Sequence, residues 1–292
     1  MVVLLVLAVL YGATKWHDRI ESLYNTGIEE EAAAYRIARL DNEYTLVNVT
    51  VIIPAWRRGL DARHQLQSLR SRLLRHNIRA CIILAEFLDS YRHSSEDRFN
   101  KGWLLNAAFK QLSIAPHTSH PCPPSEHIMF HDVDVWEKTF GHIRYNYCSE
   151  KDVVHLYGYK RGGDAVLAKT FGYEVPCLGG IFCISPAVFT AVNGFTISAP
   201  GWGYEDQDLG HRVMLSGHDV DETHLVERNV LNSHVHDQQH ASLISSDLKN
   251  EEGRALVGKY LDGLMQTRYE LIVSTNYDDA TAILRFGYSS TS

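Results

Sequence analysis

The chain has 292 residues, 45% of them hydrophobic and 22% charged, enough to bury a full-sized core as one large α/β domain or two small ones. Lys and Arg number 28 against 35 Asp and Glu, a formal net charge of −7, which excludes the basic field that attracts nucleic acid or an anionic membrane surface. A highly charged small molecule would have to be met by a local site and a metal, and 16 His make metal coordination worth searching for.

Met1 to Ala13 are almost entirely apolar, and Lys15, His17, Asp18 and Arg19 end the run. It is shorter than the roughly 20 residues of a full bilayer span, and fits a signal-peptide core, a signal anchor or a buried helix. Residues 14–45, rich in Glu, Ala and Tyr and free of Pro, read as a helical stem. Residues 46–292 then form the main domain. Leu46 to Pro54 is a β-rich run that a proline stops, as a buried strand would be. It contains a glycosylation sequon, Asn48-Val49-Thr50. Asp61 is placed to cap a helix carrying Leu66, Leu69 and Leu73. Ile78 to Leu84 is a second strand, Leu105, Ala108, Phe109 and Leu112 a second helical stripe, and His127 to Phe130 a third strand. This β-α-β-α-β series predicts an α/β fold with a mostly parallel sheet, helices on both faces, and ligands beyond the carboxyl ends of the strands. Further on, Gly180 to Ile184 is a short strand, Ser185-Pro186 opens a small helix that Gly194 closes, and a helix runs from about Glu205 to Gly217. Val226 to Leu231 is partly apolar; Leu243, Leu248, Leu256 and Tyr260 suggest a helix, and Glu270 to Ser274 and Thr281 to Arg285 two strands.

The five cysteines have no CxxC spacing. Cys122 and Cys148 flank the most polar motif, and either a disulfide between them or buried free thiols is compatible with the sequence. That motif, His131-Asp132-Val133-Asp134, is fed directly by an apolar strand, so its carboxylates reach a hard divalent cation with a diphosphate on its other side. His234-Val235-His236-Asp237 puts two imidazoles on one side of an extended segment, a set suited to a borderline transition metal such as manganese. In Gly201-Trp202-Gly203-Tyr204-Glu205-Asp206-Gln207-Asp208, glycines expose an indole that stacks on a sugar ring, and three acids crowd the first turn of a helix. An ionised carboxylate beside a stacking Trp is what takes a proton from a bound sugar hydroxyl. Each motif also has a plainer reading, as a solvated loop, a chance His pair, or helix capping beside a core Trp.

Taken in order, these motifs resemble the β-1,4-galactosyltransferase family and its chondroitin N-acetylgalactosaminyltransferase relatives, over about Val47 to Asp237. Val51-Ile52-Ile53-Pro54 resembles the family's first strand, although Ala55-Trp56-Arg57-Arg58 departs from the usual order. Phe99-Asn100-Lys101-Gly102-Trp103-Leu104-Leu105-Asn106 resembles its FNRAKLLN segment, with Lys101 in place of a donor-binding arginine. Leu178-Gly179-Gly180 with Asn193-Gly194-Phe195 matches its GG…NGF segment, and Trp202 with Glu205-Asp206 its WGxED signature. Gln207 departs from the third acid of many members, and the His-x-His-Asp form is similar to the xylose-specific proteoglycan-linker enzyme and the chondroitin enzymes.

The resemblance implies a GT-A-like, Rossmann-type nucleotide half with an acceptor-binding half, and an inverting, manganese-dependent transfer of galactose or N-acetylgalactosamine from a UDP-sugar to a carbohydrate acceptor. Asp206 is then the catalytic base, and Asp134, His234 and His236 the manganese ligands. The donor meets Pro54, Arg57, Arg58, Phe99, Lys101, Asp132, Val133 and Gly180, and the acceptor Cys177, Gly179, Trp202 and Glu205. Cys177 stands near a tyrosine of galactose-specific relatives, and a smaller residue there relaxes the pocket toward N-acetylgalactosamine. The expected setting is the Golgi lumen behind a single N-terminal anchor, or secretion if that segment is cleaved. Two rival readings are a chondroitin-type transferase acting on a uronic acid acceptor, with Lys160 and Arg161 as candidate contacts, and a non-catalytic glycan or sugar-nucleotide binding module.

Overall fold

The computed structural model describes residues 47–56, 59–76, 78–88, 99–114, 122, 125–133, 135, 142–161, 174–198, 205–227, 262–278 and 281–288. Strand β1 (Val47–Ala55) runs parallel to β2 (Ile78–Phe87) on one side and to β3 (His127–His131) on the other. Helix α1 (Gly59–Arg75) joins β1 to β2, and α2 (Lys101–Ile114) lies between β2 and β3 in the chain. Asp61 lies inside the first turn of α1 rather than at its cap, because the helix begins two residues earlier.

Alternation along β1 decides which helix covers which face. Val51 and Ile53 turn into a core shared with Leu66, Leu69 and Leu73 of α1, and Ile52 turns into one shared with Leu104, Leu105 and Ala108 of α2. Leu69 and Leu73 are almost completely buried, which contributes about 1.5–3 kcal/mol each. The α2 face is filled by an aromatic cluster in which Phe130 of β3 packs on Phe182, Phe189 and Phe195, at centroid distances of 5.1, 5.0 and 5.3 Å.

The sheet continues through β4 (Val153–Gly158), β5 (Ile181–Ile184), the two-residue β6 (Val226–Glu227), β7 (Glu270–Asp278) and β8 (Thr281–Gly287). The order across its eight strands is β6-β4-β5-β3-β1-β2-β8-β7. It is mixed: β5 is antiparallel to both β3 and β4, and β7 to β8. The expected parallel series therefore holds for β1, β2 and β3 and continues into β8, which is parallel to β2; antiparallel β5 and β7 follow on either side. Strand β4, which periodicity does not mark, supplies the strand between β5 and β6. Residues 228–261, with the end of the partly apolar run to Leu231 and the helix suggested by Leu243 to Tyr260, lie outside the described residues.

Helix α3 (Pro186–Ala191) opens as expected, with Ser185 extended and its hydroxyl accepting from the Val188 N–H. It closes through Asn193 and Gly194, both at positive φ. Helix α4 (Glu205–Leu215) carries Leu209 and Val213 into the α2-side core and ends in a turn at Gly217. Two disulfides close loops of 41 and 35 residues, Cys81–Cys122 and Cys148–Cys183. Cys122 and Cys148 thus do not pair with each other. Each has its partner on a central strand, β2 or β5, so the disulfides tie the surrounding segments to the sheet.

Candidate active site

Four charged side chains meet where β3 ends and α4 begins. Asp132 follows the last residue of β3, Glu205 and Asp206 open α4, and Lys101 opens α2. Lys101 Nζ lies 3.0 Å from Asp132 Oδ1, 3.0 and 3.2 Å from the two carboxylate oxygens of Asp206, and 3.5 Å from Glu205 Oε1. The Lys101 side chain is 13% exposed and that of Glu205 3%, so these charges face one another largely out of water.

The start of α2 is built to present Lys101. Asn100 accepts from the Trp103 N–H, capping the helix, and donates from Nδ2 to the Ile197 carbonyl at 2.7 Å. One turn on, Asn106 pairs with the backbone of Phe195, donating to its carbonyl at 2.8 Å and accepting from its N–H at 3.0 Å. A side chain at Gly102 would run into the Thr196 carbonyl. The motif at 99–106 and the Asn193-Gly194-Phe195 turn are thus two halves of one contact.

The Gly179–Gly180 turn lines the other side. A Cβ on Gly179 would stand 2.5 Å from Asp206 Oδ2, so the carboxylate occupies the space that a side chain would take. Gly180, at φ +80, has the Tyr157 carbonyl against its Cα and donates its N–H to Asp132 Oδ2 at 3.1 Å. The Asp132 N–H is in turn given to the Gly180 carbonyl at 2.8 Å, and the Leu178 N–H to the Asp206 carbonyl at 3.0 Å.

Electrostatics separate the acids. Burial would raise the Asp132 carboxyl, but Lys101 and the Gly180 N–H outweigh it and hold the group below its ordinary range. Burial raises Asp206 well above its ordinary range; Lys101 opposes this, and the charges of Glu205 and Asp132 add to it. Burial also disfavours the Lys101 ammonium, yet the three carboxylates reverse that and bind its proton more tightly. The Cys177 thiol is pushed up by burial and then by Asp206 and Glu205, which places it beside the same cluster in its neutral form. Burial pushes His131 down to about 4, and its Nδ1–H is donated to the Asp132 carbonyl at 3.0 Å.

Six of the residues singled out from sequence are therefore brought together: Lys101, Asp132, Cys177, Gly179, Glu205 and Asp206, with Gly180 bound to Asp132. Lys101, expected to meet the donor, is here held by the three acids. Pro54 is buried at the carboxyl end of β1, and Val133 is packed in the α1-side core. Phe99 stacks on Trp56 at 5.2 Å with planes 7° apart, an aromatic pair beyond the end of β1 that the sequence reading does not single out as a unit. Asp134, His234, His236, Arg57, Arg58 and Trp202 lie outside the described residues. Among the described residues no group of three or more His, Cys, Asp or Glu is arranged to hold a metal ion, and no helix is long and apolar enough to cross a membrane. The apolar run at 1–13 and the stem at 14–45 are outside the described residues as well.

A family model described as the N-terminal domain of galactosyltransferase matches residues 167–237, the stretch that contains the Gly179–Gly180 turn and Glu205-Asp206. Human β-1,4-galactosyltransferase 2 is 29% identical over 177 residues, covering 58% of this chain and 40% of that protein. β-1,4-galactosyltransferase 7 of Drosophila melanogaster is 24% identical over 177 residues, covering 60% of this chain and 50% of that protein. The chain is thus similar to β-1,4-galactosyltransferases over somewhat more than half of its length. It spans half or less of the length of these two relatives. The fold agrees: a crystal structure of a Drosophila β-1,4-galactosyltransferase 7 Asp-to-Asn variant, in complex with manganese, UDP-Gal and xylobiose, superposes with a TM-score of 0.61 at 19% identity, covering 83% of this chain and 94% of that one. The catalytic domain of the same fly protein with xylobiose gives a TM-score of 0.59. The architecture is thus a GT-A-like α/β sheet with helices on both faces.

Proposed function

We propose that the chain is an inverting glycosyltransferase that moves galactose or N-acetylgalactosamine from a UDP-sugar to a carbohydrate acceptor. The observation that carries this reading is the buried cluster of Lys101, Asp132, Glu205 and Asp206 packed against the Gly179–Gly180 turn. The similarity to β-1,4-galactosyltransferases supports it, as do the UDP-Gal and xylobiose held by the fly relative.

Asp206 is the base: its carboxylate takes the proton of the acceptor hydroxyl as that oxygen attacks the anomeric carbon and UDP leaves. The pair Asp132 and Asp206 differ in the direction in which their environments push them, as expected of two carboxyls with separate roles. Asp132, held ionised by Lys101 and the Gly180 N–H, fixes the donor side, and Gly179 leaves Asp206 room to reach the acceptor. Asp134, His234 and His236 are the residues that would hold manganese, a carboxylate and two imidazoles whose donor chemistry suits that ion. The metal's contribution is to take up the charge that develops on the departing diphosphate. Both Asp132 carboxylate oxygens already have partners, which fits its exclusion from that ligand set.

The setting we propose is the lumen of the secretory pathway, with the apolar segment at 1–13 as anchor or cleaved leader. The two disulfides support an oxidising compartment. The test is transfer by the purified chain, with manganese and a panel of UDP-sugars offered xyloside, N-acetylglucosaminide and glucuronide acceptors. Manganese-dependent transfer to the xyloside or N-acetylglucosaminide is expected, with UDP-N-acetylgalactosamine accepted at least as well as UDP-galactose because Cys177 is small. Transfer to the glucuronide alone would favour the chondroitin-type reading, and UDP binding without any transfer would favour a binding module.

A further inference from the structure

His155, on β4, lies outside every motif considered so far. Its ring is completely buried, and its Nε2–H is donated to the Gly179 carbonyl at 2.9 Å. The carbonyl of Gly179 and the N–H of Gly180 belong to one planar trans peptide unit, so they point in opposite directions. The N–H end of that unit is the group bound by Asp132 Oδ2 at 3.1 Å. One peptide plane is therefore gripped at both ends, by His155 behind and by Asp132 in front.

The sheet is adapted to this contact. The pairing of β4 with β5 shifts between His155 and Tyr157, the kind of irregularity that re-aims a side chain beside a site. The backbone of His155 is fixed from the opposite edge by the Asp221 carbonyl at 2.9 Å. The next residue, Glu222, faces the ring's Nδ1 at 3.6 Å and Arg161 Nε at 3.8 Å, and Arg161 reaches Asp219 at 3.1 Å.

We propose that His155 is a positioning residue: by anchoring the Gly179–Gly180 peptide plane it aims the Gly180 N–H at Asp132, and through Asp132 and Lys101 it sets where Asp206 stands. Glycines carry no side chain to resist rotation, so without the histidine the carbonyl end of the plane loses its side-chain anchor and only the Asp132 end is held. The inference rests on the proposed transferase reading for its kinetic arm only.

Three variants and a thermal unfolding cycle test it. His155→Gln keeps an N–H donor near the Nε2 position, and His155→Leu fills the space without one. Turnover is expected to fall on the order of 10- to 100-fold in the leucine variant, with the acceptor KM nearly unchanged, and to be largely retained in the glutamine variant. Equal losses in the two variants, or full turnover in His155→Leu, would overturn the proposal. In the unfolding arm, the Tm losses of His155→Leu and Asp132→Ala, which removes the acceptor of the Gly180 N–H, should sum to more than the loss in the double variant, because both release the same peptide plane. Additive losses would overturn it equally. Should the unmodified chain transfer no sugar at all, the transferase reading fails, and the unfolding cycle alone still decides the role of His155.

Discussion

Lys101 has three ammonium hydrogens and three carboxylates around it, and that arrangement sets the chemistry of the site. One positive charge facing three acids leaves a net negative cluster in a buried place, so one acid must be hard to ionise. Asp206 is that acid, raised first by burial and then by Glu205 and Asp132 against the pull of Lys101. A base works only when ionised, so turnover should fall as pH drops through this raised value. Removing the ammonium removes the one contribution that lowers it. In Lys101→Met the acid limb of the kcat profile should therefore move to higher pH, while Lys101→Arg, which keeps the charge, should leave the limb near its original position. An unmoved limb in the methionine variant would show that Asp206 is not the titrating group. Arg212, a few residues on, takes no part: it is buried in a pair with Asp208 at 2.6 Å and reaches Asp262 at 3.3 Å, so the third acid of the helix start is structural.

At the scale of elements, the site is a junction between a turn and two helix starts. At Gly179, Asp206 Oδ2 fills the place of the missing side chain. Gly179→Ala should therefore push the end of a flexible carboxylate aside and leave the backbone alone, lowering kcat on the order of 10-fold or more with little change in Tm. A kinetically silent alanine would mean that Asp206 does not need its present position. Much of this junction can be read locally. The apolar run of β3 leading into Asp132, the Ser185-Pro186 opening of α3 and the acids opening α4 are patterns a few residues long, governed by strand and capping chemistry. What binds them is not local. Lys101 and Asp206 are 105 positions apart, and Asn106 and Phe195 are 89, and no periodicity announces such pairs. A lysine in place of a family arginine suggests a ligand contact, whereas the acids that claim it are visible only once α2 and α4 face each other.

For the molecule as a whole, the sheet is one support for Asp132, the Gly179–Gly180 turn and His155. The parallel strands β1, β2 and β3 were legible from their apolar runs and the helices between them. The antiparallel neighbours were less so: β4 mixes His155 into a short apolar run, and β5 is only four residues long. Yet it is β5 that brings Gly180 to Asp132 and β4 that brings His155 behind it. The cysteines likewise gave no pairing by spacing, because Cys81 and Cys183 are positioned by the sheet rather than by the chain. Closing loops of 41 and 35 residues restricts the unfolded chain by about 4 kcal/mol each in the chain-entropy account.

The central claim is that this support presents Asp206 as the base of a sugar transfer. Its most direct test is Asp206→Asn, in which UDP-sugar binding in the presence of manganese is measured by calorimetry beside turnover on the acceptor that the unmodified chain uses. Donor affinity close to that of the unmodified chain is expected, with turnover reduced at least about 100-fold. Near-normal turnover with the asparagine in place would contradict it.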